Sequence, residues 1–279
     1  MRPESIADFA RARTLELRGT LLKELKRAAK APHDPEAIHD VRVAIRRFLQ
    51  SLRLFEPFFG SRKPRAIRKG LKKLLDRCGD VRNCDIALAL LPAAPHTVIE
   101  ELKKQRSHSE KALVHRLKHA KLRRRLKKWD ARAPAANELA QSPWDPEGSA
   151  SENARRVLPG MFREFFDAGS RAAAPGAGHV TMHRFRLLAK RLRYTLELFS
   201  SADGDEFKEL LEALRGLQDR LGAINDCATS QDLVRKHQAA RRAIARFVPA
   251  RVAEFRNYWK LAFSPAAAER WAAHFRNSQ

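Results

Sequence analysis

Apolar residues recur at helical spacing along most of this chain, interrupted by short breaks rich in Pro and Gly. From Ser5 to Lys30 the apolar positions are Ile6, Phe9, Leu15, Leu22 and Leu25, and the helix they predict ends before Pro32. Asp34-Pro35 then supplies an N-cap and a first-turn proline for a second helix that stops near Phe59-Gly60. A third begins near Pro64 with Ile67, Leu71, Leu74 and Cys78 on one side, and reaches Pro92 with a bend or a close packing point expected at Gly79. A fourth runs from about His96 to Trp129, with Lys104, His108, Lys111, His115 and Lys118 facing away from Leu102, Leu113 and Leu117. Residues 131–151 lack helical periodicity and read as a linker. Four helical patterns follow. The first is Asn153–Ala173, with Phe162, Phe165 and Phe166 as core. The second comes after a Pro/Gly loop at 175–178, and the third runs from about Asp205 into the 230s. The last reaches Phe263 with a kink expected at Pro249, and residues 265–279 form a tail that either adds a short helix around Trp271 or frays.

The second half repeats the first. His39–Phe55, HDVRVAIRRFLQSLRLF, aligns with His183–Phe199, HRFRLLAKRLRYTLELF, at an offset of 144, with six of seventeen positions identical. Leu71–Asp85 aligns with Leu214–Cys227 at an offset of 143, pairing Asp76/Asp219, Arg77/Arg220, Gly79/Gly222 and Cys84/Cys227. Two repeats in the same order predict an all-α chain of two similar four-helix units, residues 1–130 and 152–264.

At about 100° per residue, His39, Arg42, Arg46 and Arg53 share an arc of roughly 60°, opposite Val41, Ala44, Ile45, Phe48, Leu52 and Phe55. His183, Arg186 and Lys190 occupy the same arc in the second copy, joined by Arg193. An ordinary solvated face mixes both signs of charge. The first arc carries no acid, and the second carries only Glu197, at the position of Arg53. Arg47 and Arg191 lie about 80° off the arc yet repeat in position, and either reach an anion at the helix flank or lie over the core. Arg65, Arg68 and Lys72 on the third helix, with the matching Lys208 and Arg215, form a second tier of cations.

Charge narrows the function. The chain carries 56 Lys/Arg against 32 Asp/Glu, a net +24, so a polyanionic partner is expected. Residues 1–140 hold 34 Lys/Arg against 16 Asp/Glu, or +18; the rest hold 22 against 16, or +6. Three cysteines suit a reducing compartment rather than a disulfide framework, and no long apolar run predicts a membrane span. A soluble, cytoplasmic protein without membrane partners is expected.

Other chemistry finds little support. His115 and His119 have the i, i+4 spacing of a metal pair but lack an evident third ligand, so no metal is expected. Gly79 and Gly222 lie in no GxxxxGK[ST] phosphate loop and read as backbone points for a bend or close helix packing. Asp76 and Asp219 fit ion pairs with Lys72 and Arg215 one turn earlier better than a metal-dependent phosphatase. His39-Asp40 imitates a metal phosphohydrolase pair, but the second copy reads His183-Arg184. With no Ser/His/Asp or Cys/His set, the sequence predicts no enzyme, no catalytic residue and no cofactor. His39 and His183 near helix starts fit a histidine that fixes the preceding loop, with phosphate contact as the alternative.

The motifs together resemble the CHAD domain, the conserved histidine α-helical domain, over nearly the whole chain. They are the HxxRVxxRR-type run at His39, Arg42, Val43, Arg46 and Arg47, and a GxVRxxD run at Gly79, Val81, Arg82 and Asp85. Lys190–Glu197 supplies KRLRYxLE and Leu217–Asp226 supplies LQDxLGxxND. Asn83 stands where the family pattern calls for an acid. The resemblance implies a stand-alone CHAD protein: two antiparallel four-helix bundles about a pseudo-twofold axis, with basic surfaces lining a central cavity. It also implies non-catalytic binding of inorganic polyphosphate and association with polyphosphate granules. Polyphosphate offers little besides negative charge, which forked Arg and mobile Lys donors match. The alternative is a nucleic-acid-binding protein, with a polyphosphate or triphosphate hydrolase less favoured. Single-strand binders interleave aromatics with their cations, and here Tyr194 alone lies close to a stripe.

Overall fold

Ser5 starts the first helix: its Oγ accepts the Asp8 N–H at 3.2 Å, satisfying one of the free donors of a helix start. The helix, α1, spans Ile6–Lys30. Asp34 caps α2 (Pro35–Leu54) in the same way, its Oδ1 taking the Glu36 N–H at 3.0 Å. A 3₁₀ turn (Glu56–Phe58) leads on to α3 (Arg62–Leu90), α4 (His96–Lys118) and α5 (Ala120–Lys128). The second half holds α6 (Ala150–Ala173), α7 (His179–Asp203), α8 (Lys208–Leu233), α9 (Gln238–Ala245), α10 (Val248–Ala262) and α11 (Pro265–His274). The computed structural model describes residues 5–59, 62–118, 120–129, 143–203 and 207–274, and these are all-α apart from one bridge between Ser5 and Ser149.

The described parts of the chain divide into two compact units, Met1–Leu88 with Ile99–Ser149, and Ala89–Val98 with Ala150–Gln279. In the first unit α1 packs on α2 and α5. Its core is aromatic: Phe48 and Phe59 meet the ring of Trp129 edge-on at 5.7 and 5.4 Å. Phe55 and Phe58 hold Trp144 at 5.8 and 5.6 Å. Trp144 lies in the stretch read as linker, yet it is 6% exposed, and the Ile6 N–H reaches the Gly148 carbonyl at 3.1 Å. Residues 143–149 are therefore structural parts of the first unit, while 131–142 lie outside the described residues.

The second unit closes on itself, α6 on α7, α7 on α8, α8 on α10, and α10 back on α6. Its centre is the stacked pair Trp259 and Phe263 at 4.9 Å, ringed by Phe165, Phe166 and Phe185. Gly169 makes room for it, since a Cβ there would sit 2.0 Å from the Trp259 indole. The last long helix breaks at Arg246–Phe247, ahead of Pro249 rather than at it; a proline in the first turn of α10 forfeits no helical hydrogen bond. Trp271 of α11 is 8% exposed and packs on Phe263 at 5.6 Å, so the tail is helical to His274.

Gly79 and Gly222 do not mark close helix packing. α3 and α8 run through Gly79 and Gly222 as single helices, and a Cβ at either would meet nothing within 4 Å. They are not close packing points, and neither helix is broken there.

Candidate anion-binding faces

The helical arcs separate burial from charge. On α2, Val41, Ile45, Phe48 and Leu52 are wholly buried; on α7, Ala189, Leu196 and Phe199 are wholly buried, with Phe185 and Leu192 nearly so. Each of the larger of these side chains contributes about 1.5–3 kcal/mol by leaving water, so these sides fix how the helices face the core. The opposite arc of α2 then emerges: His39 and Arg53 exposed, Arg42 and Arg46 half-buried. Arg47, off the arc, is exposed as well.

α3 lies alongside that arc. Burial pushes the Cys78 thiol up to about 11, against the pull of the nearby Arg42 and Arg46 charges. Of the second-tier cations, Arg65 and Lys72 are exposed. Arg68 is committed to the fold, its guanidinium donating to Glu56 at 2.6 Å and to the Leu52 carbonyl, where it closes the C-terminal end of α2. Further along, Arg106 of α4 donates to Asp85 at 2.6 Å, which gives the acid of the GxVRxxD run a helix-joining role. Arg106 also lies 3.4 Å from Glu110, and His33 contacts Glu110 at 3.0 Å; these partners hold that carboxyl below its usual range, His33 most strongly.

On α7 the same arc meets partners on neighbouring helices. His183 Nδ1 meets Asn225 Oδ1 of α8 at 2.8 Å, and Asn225 Nδ2 donates to the Thr229 hydroxyl at 3.3 Å. The histidine thus joins two helices rather than fixing the preceding loop. Six residues on, Gln218 donates to the Ala189 carbonyl at 3.1 Å. These two ties set an antiparallel register in which Gly222 falls level with Arg186. Arg186 and Lys190 are half-buried. Arg191 lies 3.5 Å from Glu164 of α6, and Arg193 lies 3.7 Å from Glu197 with its guanidinium 4.8 Å over the Tyr194 ring. Lys208 and Arg215 of α8 are exposed.

The sequence pattern did not single out His179, Asn225 or Arg251, which lie near this face. The His179 ring is 6.0 Å from that of His183. Burial and then the His183 charge lower its pKa, with Asp232 opposing. Arg251 of α10 donates to the Ala223 carbonyl at 2.6 Å and to Cys227 at 2.9 Å, pinning α10 to α8. The i, i+4 spacing of His179 and His183 was the available signal for the first pair. Asn225 was visible inside the LQDxLGxxND run, but its partner becomes evident only once α7 and α8 are in register. Of the metal pair considered above, His119 lies outside the described residues, and among the described residues no group of three potential ligands gathers. Nor does any described helix have the length and apolarity to cross a membrane.

The chain is similar to known structures over its full length. It matches a crystal structure of the CHAD domain from the plant Ricinus communis at 23% identity and a TM-score of 0.64, covering 100% of this chain and 94% of that one. It matches PptA from Streptomyces chartreusis at 14% identity and a TM-score of 0.59, covering 97% and 100%. No curated protein matches. The CHAD domain family model matches residues 12–235, from within α1 to just past the end of α8, and so takes in both cationic helices and both partner helices. The chain belongs to the CHAD family.

Proposed function

We propose that this protein binds inorganic polyphosphate, without catalysis and without a cofactor, through the cationic faces of α2 and α7. The observation that supports it most is the repeated division of each helix, apolar side buried and cationic side at the surface, at matching positions of two units. His39, Arg42, Arg46, Arg47 and Arg53 form one face, and His183, Arg186, Lys190, Arg191 and Arg193 the other. Arg65, Lys72, Lys208 and Arg215 extend them along α3 and α8. Arg68 stays in the proposed set with a diminished share, because its guanidinium is already engaged.

Half-burial favours the reading. An arginine whose stem lies against the protein surface loses less side-chain freedom when its head binds an anion. Gly222, level with Arg186, presents no side chain to obstruct an approaching chain. Membership in the CHAD family supports polyphosphate over nucleic acid, as does the deep burial of the aromatic rings, which leaves few to stack on bases. We place the protein in the cytoplasm, associated with polyphosphate granules.

Replacing Arg42, Arg46, Arg186 and Lys190 together by Ala tests the assignment. Affinity for long-chain polyphosphate should fall at least tenfold, roughly 1.4 kcal/mol, with helicity by circular dichroism unchanged. Unaltered affinity would show that the ligand uses other faces.

A further inference from the structure

We propose that the cleft between α3 and α5 in the first unit is a second, separate anion site that takes an organic phosphate. The ligand class is a body with an apolar or aromatic face carrying two or more phosphates. The cleft encloses about 780 Å³, within the range of small-molecule sites. Its floor is apolar, formed by Ala66, Ile67 and Trp129, and its rim is cationic, formed by Lys121, Arg124, Arg125 and Lys128.

The floor is built rather than incidental. Trp129 is wedged edge-on against Phe48 and Phe59, and its carbonyl accepts from the Arg18 guanidinium. One end of the cleft is set by a close approach of the two helices: a Cβ on Gly70 would lie 2.9 Å from Leu122 Cδ1. Beside that contact a second hollow of about 270 Å³ shares Lys121 and Arg125 and adds Arg116. No carboxylate lines either hollow among the described residues.

An inorganic chain would gain from the rim and nothing from the floor. A ligand with a ring or apolar body gains from both, because seating that body against the exposed Ala66 and the carbon stems of Lys121, Arg125 and Lys128 removes apolar surface from water while its phosphates meet the rim. The cations of α2 and α7 take no part, so this site stands or falls apart from the polyphosphate reading.

Calorimetric titration of the full chain with ATP and with inorganic tripolyphosphate, in magnesium-free buffer, separates the two chemistries. ATP should bind about tenfold tighter than tripolyphosphate. Ala66→Trp, at an exposed position whose new ring fills the cleft, should erase that advantage and leave tripolyphosphate binding unchanged. Arg124→Ala with Lys128→Ala, both also exposed, should weaken ATP about tenfold, whereas Arg42→Ala with Arg46→Ala should leave ATP within about twofold. Equal affinity for the two ligands would overturn the proposal. So would an ATP preference that survives Ala66→Trp, or one that disappears with Arg42 and Arg46.

Discussion

The helix pairs α2–α3 and α7–α8 descend from one repeated pattern, and they differ where charge meets charge. In the first pair the position facing His39 by the repeat is Arg82, a cation; in the second pair it is the neutral Asn225, which holds His183 at 2.8 Å. The arc on α2 contains no acid, while that on α7 contains Glu197 beside Arg193 and borders Glu164 beside Arg191. Both pairs commit cations to their own structure, Arg68 to Glu56 in the first and Arg193 beside Glu197 in the second, but only the second carries an acid on the arc itself. A duplicated fold can thus retain one pattern while its copies differ in charge.

The units also close differently. The second is wedged by Trp259 into a slot that only glycine leaves open, while in the first Trp129 and Trp144 pack against phenylalanines. Gly169→Ala should therefore destabilise the second unit by about 3 kcal/mol, the upper range for overpacking a core, measured by denaturant unfolding. A loss below about 0.5 kcal/mol would show that the slot can relax and that the two closures are equivalent.

Binding sharpens the charge contrast. Arg42→Ala with Arg46→Ala should lower affinity for long-chain polyphosphate about tenfold, and Arg186→Ala with Lys190→Ala only about threefold. Equal losses would remove the asymmetry. Glu197→Gln, which keeps the shape and removes the acid, should narrow it by tightening binding about twofold, the scale of a screened ion pair. A change in the other direction would mean that Glu197 chiefly positions Arg193.

The smallest effect concerns pH. His179 has its pKa lowered by burial and by His183, so the unfolded chain takes up the proton first. Its contribution to stability is complete above about pH 6.5, the ordinary imidazole value, and is lost as pH falls from there through the lowered value. Melting temperature measured from pH 7.5 to 5 should drop less in His179→Gln than in the parent. Parallel curves would assign the acid sensitivity to other groups.

Most of this architecture was legible in the sequence because helical period and repeat offset are local signals. The cap at Asp34, the arcs on α2 and α7, and the order of the helices all depend on residues within a few turns of one another. The missed features depend on tertiary register. Trp144 looked like linker because its partners, Phe55 and Phe58, lie nearly ninety residues earlier. The arginine stripes could be drawn on a wheel, but a wheel does not show that Arg68 is taken up by Glu56 and the end of α2. Gly79 and Gly222 misled for the opposite reason: glycine in a helix suggests a close neighbour, and here each faces open space.

On the proposed function these faces select polyphosphate by charge density and not nucleic acid by its bases. Competition between long-chain polyphosphate and single- and double-stranded DNA or RNA at physiological salt measures this directly. Polyphosphate is expected to displace nucleic acid at equal concentration of phosphate groups, with affinity falling steeply as salt rises. Nucleic acid binding as tightly as polyphosphate, or more tightly, would contradict it.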